Sequence, residues 1–112
     1  MAAMTKKSFD NPDEVMTPSD KIKVATVKVD DLTIWRFTGQ PGWKWSNDLK
    51  PIFKTDSCPE NHKLYILSGG LHVKMDDGQE MDFGPGDIAH IPPGHDGWSN
   101  GDEPTVWIEF GK

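Results

Sequence analysis

The sequence predicts an all-β fold, and three observations support this class. Short runs of β-branched and aromatic residues recur along the chain, with turn residues between them roughly every 6 to 12 positions. The 11 Gly and 9 Pro interrupt the chain too often for a long helical pattern. A length of 112 residues supports one small barrel, whose interior is filled by side chains or holds one small ligand.

The first part of the chain divides into an arm and a hairpin. Residues 1–21 are polar, contain Pro12 and Pro18 and lack strand or helix periodicity, so we expect an extended N-terminal arm. The barrel domain is predicted to span residues 22–112. Ile22–Val29 alternates around its valines, and residues 32–38 are rich in β-branched and aromatic side chains, which predicts two paired strands.

The rest of the domain is predicted to be a series of short strands and turns. Residues 42–46 place Trp43 and Trp45 on one side of an extended segment, and residues 51–54 follow as a short strand. No helix is predicted. Further strands are predicted at residues 63–68, 71–75, 80–83, 87–91, 95–99 and 105–110.

Composition excludes several classes of partner. The formal net charge is −6 and the 12 basic residues are scattered, which argues against a nucleic-acid-binding surface. No apolar run reaches the roughly 18 residues of a membrane span, and residues 1–15 lack the layout of a secretory signal. The single cysteine, Cys58, permits no intramolecular disulfide, so we expect a cytoplasmic protein. From the charge and the lack of a long apolar run, we expect neither a nucleic-acid partner nor a membrane partner.

Six short segments resemble the cupin superfamily, and in particular a subgroup of small, mostly uncharacterised single-domain cupins. They are PGWKW, TDSC, YILSGG, MDDG, GPGD and IPPGHDGW, spread over roughly residues 42–110. The family's first motif is G-x5-H-x-H-x3,4-E-x6-G. Anchored on Gly69, its glutamate position falls on His62 and its two histidine positions fall on Asp56 and Cys58.

The second cupin motif is G-x5-P-x-G-x2-H-x3-N, and this sequence matches its glycine and proline positions but not its ligand positions. Its glycines and proline match Gly86, Pro92 and Gly94, whereas its histidine and asparagine positions fall on Gly97 and Gly101. The resemblance implies a double-stranded β-helix, the jelly-roll cupin barrel, with a pocket at one end. It also implies a divalent metal ion (Fe, Mn, Ni or Zn) in many members, and frequently a homodimer.

The candidate metal ligands are Cys58, His62 and His95. Cys58 and His62 are four residues apart around Pro59, so a thiolate and an imidazole could face one cavity. His95 precedes Gly97 by two residues on a strand and therefore shares its face. Three protein ligands would leave a position open for water or substrate. The alternative is that Cys58 is a small buried hydrophobe and that His62 and His95 are ordinary polar residues.

Other residues are candidates for the pocket. Asp56 is either a fourth ligand or a solvated turn residue, and Trp45, Tyr65 and Trp98 are either core residues or pocket walls. His90 and His72 either line the barrel or lie on the polar face of a strand, and His90 would be a candidate general base if it faced inward.

The leading hypothesis is a metal-binding barrel that acts on a small organic molecule. If the protein is an enzyme, its resemblance to the cupins implies an oxygenase, isomerase or lyase type of reaction. The alternative is a metal-free cupin that binds or senses a small ligand without catalysis.

Overall fold

The chain is built almost entirely from antiparallel strands, as the sequence predicts. The computed structural model describes residues 3–111. Nine strands are formed within that range: β1 (Glu14–Ser19), β2 (Ile22–Val29), β3 (Leu32–Gly39), β4 (His62–Ser68), β5 (Leu71–Met75), β6 (Glu80–Phe83), β7 (Ile88–Ile91), β8 (His95–Ser99) and β9 (Thr105–Gly111). Two short helices, α1 (Trp45–Asp48) and α2 (Lys50–Phe53), lie between β3 and β4.

The strands form two sheets with the core between them. The larger sheet has the order β1-β2-β3-β9-β4-β7, and the smaller sheet has the order β6-β5-β8. Alternation along each strand sends every second side chain into the space between the sheets. On β4 the inward residues Leu64 and Ile66 are 2% and 0% exposed. On β5 the inward residues are Leu71 and Val73, which are also buried.

Strand β1 lies within residues 1–21, where the sequence pattern indicated no strand. It pairs with β2 in the register Val15 with Ala25. The residues before it also contact the larger sheet: the Asp13 carboxylate accepts a 2.7 Å hydrogen bond from the Lys28 N–H, and Phe9 lies under the Arg36 guanidinium. Most β1 side chains remain exposed, so no alternation of apolar residues marks this strand in the sequence.

Two helical turns replace the short strand predicted at residues 51–54, and that prediction is wrong. Pro51 occupies the first turn of α2, where its missing N–H costs nothing. Lys54, with φ of 58°, ends the helix in the left-handed conformation. Neither helix in the described part of the chain has the length and apolar character needed to cross a membrane.

The loop before β4 is fastened to the start of β8, and this contact positions the candidate site. The Cys58 N–H donates to the His95 carbonyl at 2.7 Å, and the Gly94 N–H donates to the Cys58 carbonyl at 2.8 Å. His62, the first residue of β4, follows four residues later. The segments that carry Cys58, His62 and His95 therefore meet at one end of the space between the sheets.

Candidate metal centre

The three predicted ligands lie together. Cys58 Sγ and the ring nitrogens of His62 and His95 all lie within 4.8 Å of one another. Cys58 Sγ is 3.6 Å from His62 Nε2. A tetrahedral ion with a metal–sulfur bond of about 2.3 Å and a metal–nitrogen bond of about 2.05 Å would separate these two atoms by about 3.6 Å. The spacing is therefore compatible with a shared metal ion.

Both imidazoles are oriented through their Nδ1 atoms. His95 Nδ1–H donates to the Pro92 carbonyl at 2.8 Å, and His62 Nδ1 lies 2.5 Å from Glu109 Oε1. Because a carbonyl can only accept, the proton of neutral His95 lies on Nδ1 and the Nε2 lone pair is left for a ligand. The Glu109 carboxylate imposes the same tautomer on neutral His62. A backbone carbonyl or carboxylate behind the imidazole is the usual arrangement for histidines that bind metals.

Glu109 is a site residue that the sequence analysis missed. It is 8% exposed and lies on the inward face of β9. One of its oxygens contacts His62, and the other accepts a 3.1 Å hydrogen bond from Trp107 Nε1. A signal was available, because Glu109 stands two residues after Trp107 and an acidic residue on the apolar face of a strand needs a partner.

The pKa values of Cys58 and His62 reflect their contact. Burial by itself raises the pKa of the Cys58 thiol, but hydrogen bonds from His62 and His95 outweigh it and lower the pKa from 9.0 to about 7. Burial also opposes the charged form of His62. Hydrogen bonds to Cys58 and Glu109 outweigh that effect and raise the pKa of His62 from 6.5 to about 10. In the metal-free protein the pair therefore tends toward thiolate and imidazolium.

A cavity of about 610 Å³ extends from these residues through the interior. Cys58, His62 and His95 lie on its wall together with Trp45, a predicted pocket residue, and Gly97. A volume of this size falls within the range that encloses small organic ligands. The candidate metal ligands and the cavity are thus parts of one site.

The structure does not bring the other predicted pocket residues into the cavity. Tyr65 lies on the outward face of β4, because His62 and Leu64 take the inward positions. His90 also faces outward, with Nε2 at 2.8 Å from Asn61 Oδ1. Asp56 is an exposed residue of the loop before Cys58. Outward orientation removes His90 as a general base beside the metal.

Trp98 and His72 form a separate group on the outer surface of the smaller sheet. Their rings stack with centroids 4.6 Å apart. His72 Nδ1 lies 2.5 Å from Asp82 and Nε2 lies 2.9 Å from Glu80, and these two carboxylates raise its pKa. Inward positions on β8 belong to His95, Gly97 and Ser99, so Trp98 cannot contribute to the cavity wall.

Comparison with known families places the similarity in the second half of the chain. The family model described as "Cupin domain" matches residues 59–111, which are 53 of the 112 residues. This range contains His62, His95 and Glu109 and begins one residue after Cys58. Among curated proteins, none matches the sequence.

Solved structures resemble the whole fold. The polyketide cyclase RemF from Streptomyces resistomycificus is 15% identical with a TM-score of 0.68, and the match covers 96% of this chain and 78% of that chain. The Fe(II) form of HppE is 12% identical with a TM-score of 0.67, over 96% of this chain and 59% of that chain. A cupin-like protein from Thermotoga maritima is 19% identical with a TM-score of 0.56, over 81% and 68% of the two chains. At these identities the likeness concerns the fold alone.

Proposed function

Because the chain carries a cupin domain, we propose that it binds a divalent metal ion through Cys58, His62 and His95 and acts on a small organic molecule in the adjoining cavity. One observation carries this proposal. Each histidine has its Nδ1 atom beside an oxygen acceptor, and His62 Nε2 lies 3.6 Å from the Cys58 sulfur, which is the geometry of imidazoles prepared to bind metal.

The ligand types favour some metals over others. Thiolate and imidazole suit zinc and iron, whereas manganese is better matched by oxygen ligands. The structural likeness to the Fe(II) form of HppE supports iron as one candidate. Three protein ligands leave at least one coordination position for water or for an oxygen of the substrate. A bound ion would supply Lewis-acid chemistry there, polarising a carbonyl or hydroxyl oxygen.

Metal analysis tests the proposal directly. Wild-type protein purified without chelator or added metal should contain about one equivalent of metal, and His62→Ala or His95→Ala should contain far less. His90→Ala is the matched control, because His90 faces outward and should change nothing. Cobalt substitution should give a thiolate-to-cobalt absorption band that Cys58→Ser removes. Metal content that is unaffected by both histidine substitutions would refute the assignment.

We also propose a cytoplasmic homodimer. Four large apolar side chains are exposed on the outer face of neighbouring strands β4, β7 and β9: Ile88 at 83%, Phe110 at 53%, Leu67 at 46% and Tyr65 at 37%. A contiguous exposed apolar patch favours association, and a second copy could cover it by two-fold symmetry. A cytoplasmic location would keep the buried Cys58 thiol reduced. Sedimentation of Ile88→Lys against wild type tests the dimer, and a wild-type monomer at micromolar concentration would exclude it.

A further inference from the structure

The cavity beside the metal centre has flat aromatic walls. Trp107 stacks on Phe37 with ring centroids 5.0 Å apart and planes 2° from parallel. Trp43 leans against Trp107 at 5.6 Å, and Trp45 stacks on Phe53 at 5.9 Å. All five rings line the cavity. Aromatic rings prefer other aromatic rings in offset or edge-to-face contact, so such walls favour a flat ligand over a saturated one of equal volume.

Cationic groups are scarce along this cavity. Apart from its histidines, the one cationic residue among the described lining residues is Lys63, which is exposed and occupies an outward position on β4. Two acidic residues, Glu60 and Glu109, also line the cavity. An anionic ligand would therefore lie in an apolar cavity that has acidic residues and, among its described lining residues, no buried Lys or Arg on its wall, which disfavours its binding.

Two buried donors in the wall have no acceptor. The indole N–H groups of Trp43 and Trp45 are buried and find no hydrogen-bond partner in the described residues. By contrast, the indole N–H of Trp107 bonds to Glu109. A buried donor without an acceptor is unfavourable, and both rings adjoin the space that a ligand would fill. Each of these nitrogens exposes less than 1 Å², so a ligand oxygen would satisfy such a donor only after the indole ring turned its N–H toward the cavity.

We infer that this cavity binds an uncharged, flat aromatic molecule that carries a hydroxyl or carbonyl oxygen. This ligand class depends on the proposed function in one respect, because a ligand oxygen would also take the open coordination position of the metal ion. The aromatic and uncharged character follows from the walls and from the charges around the cavity. Phosphorylated and carboxylated metabolites are disfavoured as the main ligands for the same reason.

Three matched probes test this class: 2-naphthol is flat and neutral, 2-naphthoate is flat and anionic, and decahydro-2-naphthol is neutral but not flat. Binding is followed by NMR through the indole N–H signals of 15N-labelled protein, assigned with single Trp→Phe variants. Of the five tryptophans, four line the cavity, and Trp98 lies outside it as an internal control. We expect 2-naphthol to shift the four cavity signals and to leave Trp98 unchanged. Both other probes should bind at least about tenfold more weakly.

A blocking variant controls for binding elsewhere. A Cβ atom on Gly97 would meet its nearest neighbours at 3.5 and 3.9 Å, which is ordinary contact. Gly97→Leu therefore meets no clash at Cβ, and from this inward position on β8 its side chain would point into the cavity; a thermal melt shows whether the variant is folded. We expect this variant to lose the shifts caused by 2-naphthol.

Zinc-loaded and chelator-treated samples separate this inference from the proposed function. If zinc does not bind but 2-naphthol still shifts the cavity signals and 2-naphthoate does not, the metal assignment fails and the ligand class stands. If zinc binds and 2-naphthoate binds as tightly as 2-naphthol, the ligand class is wrong and the metal assignment stands. Unchanged cavity signals with 2-naphthol in both samples would also overturn the ligand class.

Discussion

Replacement of Glu109 by Gln should weaken metal binding without removing any metal ligand. In the wild type, the carboxylate lies 2.5 Å from His62 Nδ1 and fixes the direction of Nε2. Glutamine keeps the shape but removes the charge. Because His62 and Trp107 contact different carboxylate oxygens, one of the two would face an amide NH2 group, which cannot accept. Loss of such a partner typically lowers metal affinity 10- to 100-fold, which corresponds to about 1.4 to 2.7 kcal/mol of binding free energy.

Calorimetric titration with zinc at about pH 8 measures this effect in two ways. The dissociation constant should rise by the factor given above. The number of protons released on zinc binding is obtained from the dependence of the binding enthalpy on the buffer, and it should fall. Glu109 helps to raise the pKa of His62 to about 10, and a protonated His62 must lose its proton to bind metal. Trp107→Phe is the matched control, since it leaves the carboxylate on His62. If Glu109→Gln bound zinc with wild-type affinity and proton release, Glu109 would have no role in orienting His62.

Three further predictions concern stability. Gly69→Ala should lower the free energy of unfolding by more than about 3 kcal/mol in chemical denaturation, because φ is +74° and a Cβ atom would lie 2.4 Å from the Pro104 carbonyl oxygen. Gly78→Ala, at φ of +95° in open space, should lower it by only about 1 to 2 kcal/mol. Equal losses for the two would contradict the clash. His72 has a raised pKa, so its contribution to stability should be fully present below about pH 6.5 and lost as pH rises through that raised pKa. The free energy of unfolding in urea should therefore differ between wild type and His72→Gln by less than about 1 kcal/mol for this exposed cluster, and the difference should shrink from pH 6 to pH 9. A difference that grew with pH would contradict the proposed charge pairing of His72. Replacement of Ile66, which is 0% exposed, by Ala should lower the free energy of unfolding by about 2 to 5 kcal/mol. A loss below about 1 kcal/mol would mean that the surrounding core side chains move in to fill the cavity left by the substitution.

Most strands could be predicted because their side chains alternate between two environments. Leu71–Met75 places Leu71 and Val73 inward and is bounded by Gly70 and by the turn at Asp76, so its limits were found from the sequence. Strand β1 carries no such signal, because it is a sheet edge with mostly exposed side chains. Helices α1 and α2 have four residues each, too few for a helical period to appear.

The three candidate ligands were predicted from the sequence, whereas the residue that orients one of them, Glu109, was not. Cys58 and His62 are close in sequence and keep positions of a known motif, whereas Glu109 is 47 residues away from His62. Only the pairing of β4 with β9, which sets Leu64 opposite Glu109, brings that carboxylate to the imidazole. Long-range register of this kind depends on the whole sheet, so the residue that orients a ligand is harder to find than the ligand itself.

The position of His95 shows how the proposed metal site can form although the second cupin motif has glycine at its histidine position. The family's second histidine position falls on Gly97, and His95 stands two residues before it on the same inward face of β8. The bridge between Cys58 and His95 sets these two residues directly opposite each other, so the shifted histidine meets the thiol that replaces a histidine of the first motif. Gly97 is then free of any ligand role and lines the cavity without a side chain. An inward glycine two residues after His95 therefore leaves space beside the candidate metal ligands, which is where the proposed flat aromatic ligand would lie.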